Sequence, residues 1–266
     1  MESKTQSAIL YSCYYNVSRD GENFVPDHTL SYQISGTLTL NDGSKSYPSK
    51  VGALRLVRRN QLLKFVKQPS EKESFKSLSI YFTQEVLKDF SLEYGITADK
   101  KPMDNPVIDI NSNAFFNNYI QSMLDYQQAD NFHDERLVKL KLREGILLLL
   151  HADPRLKDIL FDFADPYKID LEAFMNKNFH FNVHLDRFAY LTGRSLASFK
   201  RDFEKQFNTT PGRWLLQKRL QEAYYLITTK RKAPSDIYID LGFEDLSHFS
   251  YTFKKQFGIA PSKINQ

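Results

Sequence analysis

The chain has 266 residues, 41% of them apolar, and a formal charge of +4, which is enough for two ordinary domains, each with its own core. Its longest purely apolar run, Ile146 to Leu150, is far short of the roughly 20 residues that cross a bilayer, so a membrane-spanning helix and a membrane partner are excluded. Cys13 is the one cysteine, which excludes an intramolecular disulfide or a thiolate metal cage and suits a reducing compartment.

Met1 to Tyr15 has no apolar core of a secretion signal, so the expected location is the cytoplasm. From Tyr32 to Leu40, the residues Tyr32, Ile34, Gly36, Leu38 and Leu40 alternate with polar ones, which predicts one half-buried strand turned by Asn41-Asp42-Gly43. Leu54 to Val57, Leu63 to Val66 and Leu78 to Phe82 are further strands, so residues 8 to about 110 read as a small barrel or jelly roll. On those strands Arg55, Arg58, Arg59, Lys64 and Lys67 are expected to face solvent, where they could also hold an anionic effector or DNA. The aromatic residues Tyr32, Tyr47, Phe65, Phe75, Tyr81 and Phe82 fit a ligand pocket or ordinary packing equally well. Two helices follow, one with the stripe Phe115, Tyr119, Met123 and Tyr126, the other with Leu137, Leu140, Leu147 and Leu148. Antiparallel helices after a barrel suit formation of a homodimer.

A boundary near Asp165 divides the charge unevenly. Residues 165–266 hold 16 Lys and Arg against 11 Asp and Glu, a net +5, whereas residues 1–164 hold 20 against 21, a net −1. The basic part also repeats itself without a gap at an offset of 50 residues. Leu191, Leu196, Phe199, Phe203, Lys205, Gln206, Phe207 and Pro211 fall on Leu241, Leu246, Phe249, Phe253, Lys255, Gln256, Phe257 and Pro261. Asp186 matches Asp236, and Ala189 matches the equally apolar Ile239.

In each copy the spacing of 3, 4 and 4 between apolar positions is one stripe of a helix. A shorter helix precedes each, Leu185 to Leu191 and Ser235 to Leu241, with turns through Thr192-Gly193-Arg194 and Gly242-Phe243-Glu244. Ser195 and Asp245 stand at the N-caps, and Thr210-Pro211 opens a linker helix that stops near Thr229. This describes two helix-turn-helix units. Opposite the phenylalanines lie Ala197, Lys200, Arg201 and Glu204 in the first unit, and Ser247, Ser250, Tyr251 and Lys254, with His248 on the flank, in the second. Short side chains mixed with donors permit close approach to base edges and phosphates; the hydroxyl of Ser195 adds another donor at the helix entrance.

From Ile169 to Ile264 the sequence resembles the AraC/XylS family of bacterial regulators, most specifically in the string Asp240-Leu241-Gly242-Phe243-Glu244-Asp245-Leu246-Ser247-His248-Phe249 and its continuation to Pro261. The resemblance implies recognition helices in successive major-groove segments about 34 Å apart on one DNA face. It places the base-reading positions on Ala197, Lys200 and Arg201, and on Ser247, His248 and Tyr251. The first unit departs from the family pattern, since Asn208-Thr209-Thr210 replaces the usual glycine-containing turn. The N-terminal part resembles the activators of type III secretion through Ser35 to Leu40, Leu56 to Arg59 and Leu140 to Glu144. That resemblance implies a cupin-like β-barrel with a helical hairpin.

The expected fold class is therefore α+β and multidomain: a cupin-like regulatory and dimerisation domain over residues 1–164, and an all-α DNA-binding domain over residues 165–266. The expected function is promoter recognition, with activation through RNA polymerase and an effector that is either a small molecule or a protein. The rival is a cupin-type enzyme without a metal, or a storage or small-molecule-binding barrel, with an appended helical interaction domain. Against it, the barrel region offers only His28 as a metal-ligand histidine, His180 and His184 lack a third ligand, and no phosphate loop or nucleophile elbow is present. No metal and no cofactor is expected, and the chain is not expected to be an enzyme.

Overall fold

The structure, a computed structural model, describes residues 8–19, 23–100, 104–128 and 134–264. It divides into two compact units: one holds Val25–Ala164 and the chain up to Gly21, the other Glu22–Phe24 and Asp165–Gln266.

The elements of the N-terminal region are β1 (Ile9–Tyr14), β2 (Phe24–Val25), β3 (His28–Ser35), β4 (Thr37–Asn41), β5 (Ser46–Pro48), β6 (Leu54–Val57), β7 (Gln61–Leu62), β8 (Lys64–Gln68), β9 (Phe75–Phe82), α1 (Gln84–Tyr94), β10 (Val107–Ile110), α2 (Ala114–Gln128), α3 (Glu135–Ala152) and α4 (Lys157–Leu160). An antiparallel five-stranded sheet in the order β1-β9-β3-β6-β10 accompanies a three-stranded sheet in the order β5-β4-β8. Two cores result. Leu38, Leu40, Val57, Leu63 and Phe75 form one, shared by both sheets. Leu30, Leu54, Leu56, Leu78 and Ile80 form the other, against Phe116, Met123, Ile146 and Leu149 of α2 and α3. The larger sheet is thus covered on both faces along β6, where all four residues of Leu54–Val57 are buried, Leu54 and Leu56 in one core and Val57 in the other.

The single strand expected from Tyr32 to Leu40 is two strands in two sheets. Gly36 breaks it with φ 72°, and a Cβ there would lie 2.5 Å from the carbonyl oxygen of Gln68. Tyr32 and Ile34 therefore pack toward the helices, while Leu38 and Leu40, with the same alternation, fill the other core. The expected strand Leu63 to Val66 is found as β8, which starts one residue later and runs on to Gln68. Helix α1 lies inside the span read as strands; its signals are Thr83, whose side chain accepts from Val86 N, and Gly95 at its end with φ 63°.

The stripe expected on the first helix of the hairpin is buried at Tyr119 and Met123 but not at Phe115, and the second helix packs through another face than its sequence stripe suggests. In α2 Phe116, not Phe115, is buried, and in α3 the buried positions are Leu142, Gly145, Ile146 and Leu149, leaving Leu140 and Leu147 exposed. Five apolar residues in a row, Ile146 to Leu150, surround the helix and conceal which side packs. The basic cluster is also not a solvated surface. Arg55 is 3% exposed and donates to the carbonyls of Tyr47 (2.8 Å) and Leu38 (3.4 Å); Arg59 donates to those of Asp162 (2.6 Å) and Ala164 (3.0 Å). A buried guanidinium is tolerated because its N–H groups find acceptors.

The C-terminal region is all helical: α5 (Leu171–Asn178), α6 (Leu185–Leu191), α7 (Leu196–Phe207), α8 (Pro211–Thr228), α9 (Pro234–Ile237), α10 (Leu246–Phe257) and a 3-10 turn at Pro261–Lys263. Helix α5, absent from the sequence reading, is capped by Asp170, which accepts from Ala173 N. Each fully buried phenylalanine of this region contributes about 2–3 kcal/mol of hydrophobic stabilisation.

Candidate nucleic-acid interface

The first helix-turn-helix consists of α6 and α7. Helix α6 closes with Gly193 N donating to Tyr190 O (2.9 Å) and Arg194 N donating to Ala189 O (3.0 Å), the paired bonds of a Schellman turn. Ser195 then caps α7, its Oγ accepting from Ser198 N at 3.2 Å. Phe199 and Phe203 are wholly buried, and Phe207 stacks on Phe203 and meets Trp214 of α8 at a tilt of 55°.

The second unit repeats this pattern. Gly242 N donates to Ile239 O (2.9 Å), Phe243 N to Tyr238 O (3.0 Å), and the Asp245 carboxylate accepts from His248 N (2.6 Å). Phe249 and Phe253 fill the core below α10. The preceding helix, expected over Ser235 to Leu241, is regular only over Pro234–Ile237. The turn glycine explains the change: Gly193 lies two residues before its cap and Gly242 three residues before its own. Ahead of the turn the structural offset is therefore 49 residues, and it is 50 only after it. Buried Phe188 corresponds to buried Ile237, and buried Thr192 to buried Leu241, so the pairing of Ala189 with Ile239 holds in sequence but not in space.

The outward faces of α7 and α10 carry the expected side chains. Ser195, Ala197, Lys200 and Arg201 are exposed on the first; Ser247, His248, Tyr251 and Lys254 are exposed on the second, and Ser250 is half-buried. Ser195 Oγ is used as a cap acceptor, which leaves its hydroxyl proton available to a partner. The Arg201 side chain is 78% exposed, with Nη2 on Ser198 Oγ at 3.2 Å and Nε 3.9 Å from Asp202. Asp202 mainly serves Arg194 (3.1 Å) and Lys168 (3.4 Å), and the hydrogen bond from Arg194 holds its carboxyl below the ordinary range, so Arg201 keeps most of its donors. Tyr251 is 68% exposed. Both recognition helices end in the left-handed region, at Asn208 (φ 52°) and Gly258 (φ 76°). The departure from a glycine turn in the first unit thus leaves the backbone unchanged, because asparagine tolerates that conformation.

The linker helix α8 serves both cores, with Trp214 against Phe203 and with Leu220, Ala223 and Ile227 in the second cluster. Thr210 occupies its N-cap position but makes no side-chain capping bond. Arg219, which the sequence reading passed over, donates to three carbonyls: Nε to Phe179 (2.8 Å), Nη1 to Gly242 (2.8 Å) and Nη2 to Phe181 (2.9 Å). Burial pulls its pKa down to about 10. The sequence offered little signal for it, since Arg219 stands beside Gln217 and Lys218 on a helix that also carries the exposed Arg213 and Gln221. His180 and His184 do not share a helix: His180 sits in a turn between Phe179 and Phe181, and His184 is the N-cap of α6. Among the described residues no group of three His, Cys, Asp or Glu side chains is arranged to hold a metal ion, and no helix is long and apolar enough to cross a membrane.

Two protein-family profiles match the chain: the ExsA N-terminal regulatory domain over residues 28–160 and a helix-turn-helix domain over residues 188–266. The chain is 22% identical to the HTH-type transcriptional regulator ExsA of Pseudomonas aeruginosa, covering 96% of this chain and 92% of that protein. It is 23% identical to the thermoregulatory protein LcrF of Yersinia pestis, covering 92% and 89%. A crystal structure of unsaturated fatty acid bound ToxT from Vibrio cholerae aligns with 99% of this chain and 96% of its own, at 15% identity and a TM-score of 0.44. With one profile spanning half of its length and the duplicated helix-turn-helix following it, the chain belongs to the AraC family of DNA-binding transcription regulators, in the branch that carries the ExsA N-terminal regulatory domain.

Proposed function

We propose that this regulator is an activator that reads two successive major-groove segments, with Ser195, Ala197, Lys200 and Arg201 on one segment and Ser247, His248, Ser250, Tyr251 and Lys254 on the other. In this division residues 165–266 bind promoter DNA and residues 1–164 receive a signal, from a small molecule or a protein, in the cytoplasm. The observation that carries the reading is the exposure of these short and donor-bearing side chains on two helices whose opposite faces are sealed by Phe199, Phe203, Phe249 and Phe253. The sign of regulation rests on likeness to relatives such as the virulence regulon transcriptional activator VirF of Yersinia enterocolitica, 23% identical over 86% of this chain. RNA polymerase is then the second partner at the promoter.

Selection from random duplexes with residues 165–266 tests the reading. A preferred sequence is expected, with affinity falling steeply as salt releases phosphate counterions. No sequence preference at moderate salt would overturn it.

The chain pairs with a second copy through the hairpin within residues 113–151. Phe115, Leu140 and Leu147 are exposed there, apolar side chains that a monomer leaves in water. Leu140→Asp is expected to convert a sedimenting dimer to a folded monomer. A wild type that is already monomeric at micromolar concentration and on DNA would contradict this.

A further inference from the structure

We infer that Arg219 is a positioning residue that sets the spacing between the two DNA segments; the inference rests on the two-segment reading. Its three carbonyl acceptors come from two places. Phe179 and Phe181 belong to the segment that leads into the first helix-turn-helix, and Gly242 is the turn of the second. One guanidinium on α8 therefore ties the approach to one unit to the pivot of the other.

The site leaves no slack. A Cβ at Gly242 would lie 2.8 Å from the guanidinium carbon of Arg219 and 3.0 Å from the His180 carbonyl oxygen. A second tie crosses the same junction, with Asn182 Nδ2 donating to Glu244 Oε1 at 3.2 Å, and the Glu244 carboxylate also attracts Arg219. The turn joined in this way is the one with the additional residue, Phe243, which is buried and packs edge-on against Phe249. The orientation of α10 relative to α7 thus depends on a rigid fork of donors, geometry that a lysine ammonium cannot reproduce although it keeps the charge. None of these groups lies among the side chains proposed to touch DNA.

The test uses the full chain as wild type, Arg219→Lys and Asn182→Ala. Binding is measured to the selected site, to the same site with one base pair added or removed between its segments, and to a site whose second segment is scrambled. One base pair shifts the second segment by about 3.4 Å and about a tenth of a turn, and the wild type is expected to lose about tenfold in affinity for it. Arg219→Lys is expected to reduce that spacing penalty to about twofold and the half-buried Asn182→Ala to about threefold, with both binding the scrambled site as the wild type does. Variants that keep the full spacing penalty would overturn the inference, as would a loss equal on every duplex, which marks simple destabilisation. A wild type without any spacing penalty would instead overturn the two-segment reading. If Arg219→Lys does not fold, Asn182→Ala carries the same test through the second tie, with a smaller side chain removed.

Discussion

The two helix-turn-helix units have equivalent cores and differ in the side chains of the faces proposed to meet DNA. Phe199 and Phe203 recur as Phe249 and Phe253 at the same depth, and the helices end in the same backbone conformation although one uses Asn208 and the other Gly258. The outward faces diverge, with Lys200 and Arg201 on one and Ser247, Ser250 and Tyr251 on the other. Even the turns differ, because the second carries one more residue between its glycine and its cap. Packing constrains residue type at a few spacings and leaves the exposed positions free to diversify, so duplication preserves the scaffold while each reader acquires its own chemistry.

If the cores are equivalent, Phe203→Ala and Phe253→Ala each remove about 3–5 kcal/mol of stability, the largest effect expected here. Urea unfolding measures both, with Trp214, the one tryptophan, reporting beside Phe203. A difference of more than about 2 kcal/mol between them would break the equivalence. The faces should separate at about 1–3 kcal/mol: Arg201→Ala relaxes base preference at one position, whereas Tyr251→Ala weakens all sequences slightly and evenly. Binding to every single-base variant of the selected site checks this, and the reverse assignment follows if Tyr251→Ala gives the position-specific loss. The helix ends give the smallest contrast. Gly258→Ala costs about 1 kcal/mol by forcing a side chain into the left-handed region, while Asn208→Gly stays within about 0.5 kcal/mol of the wild type. Thermal unfolding of both variants decides whether Asn208 is held there by its turn alone.

What the sequence discloses follows the range of the interaction. Caps and apolar spacing are local, so α7, α10 and the linker helix are legible from Ser195, Asp245, Pro211 and the phenylalanine stripes. The slip of the repeat by one residue is not, because Leu191 and Leu241 match in sequence while only Leu241 is buried in its core. In the barrel, alternation through Gly36 is the same on both sides of the corner, and only the positive φ reveals that the chain changes sheets. Arg55 and Arg59 read as surface charge because their acceptors are backbone carbonyls distant in sequence. The proposed DNA-contacting side chains were legible as an outward face; Arg219 was not, because its partners lie 23 to 40 residues away. The exposed Leu140 and Leu147 belong to a stripe that sequence detects and whose partner it cannot name.

The central claim is that one polypeptide reads DNA twice, with one face of the duplex meeting α7 and then α10. Hydroxyl-radical footprinting of the full chain on its selected site tests it directly. The account predicts two clusters of protected sugars on one face of the duplex, separated by about 10–10.5 base pairs, with Arg201→Ala weakening one cluster first. A single protected cluster, or two clusters on opposite faces of the duplex, would contradict it.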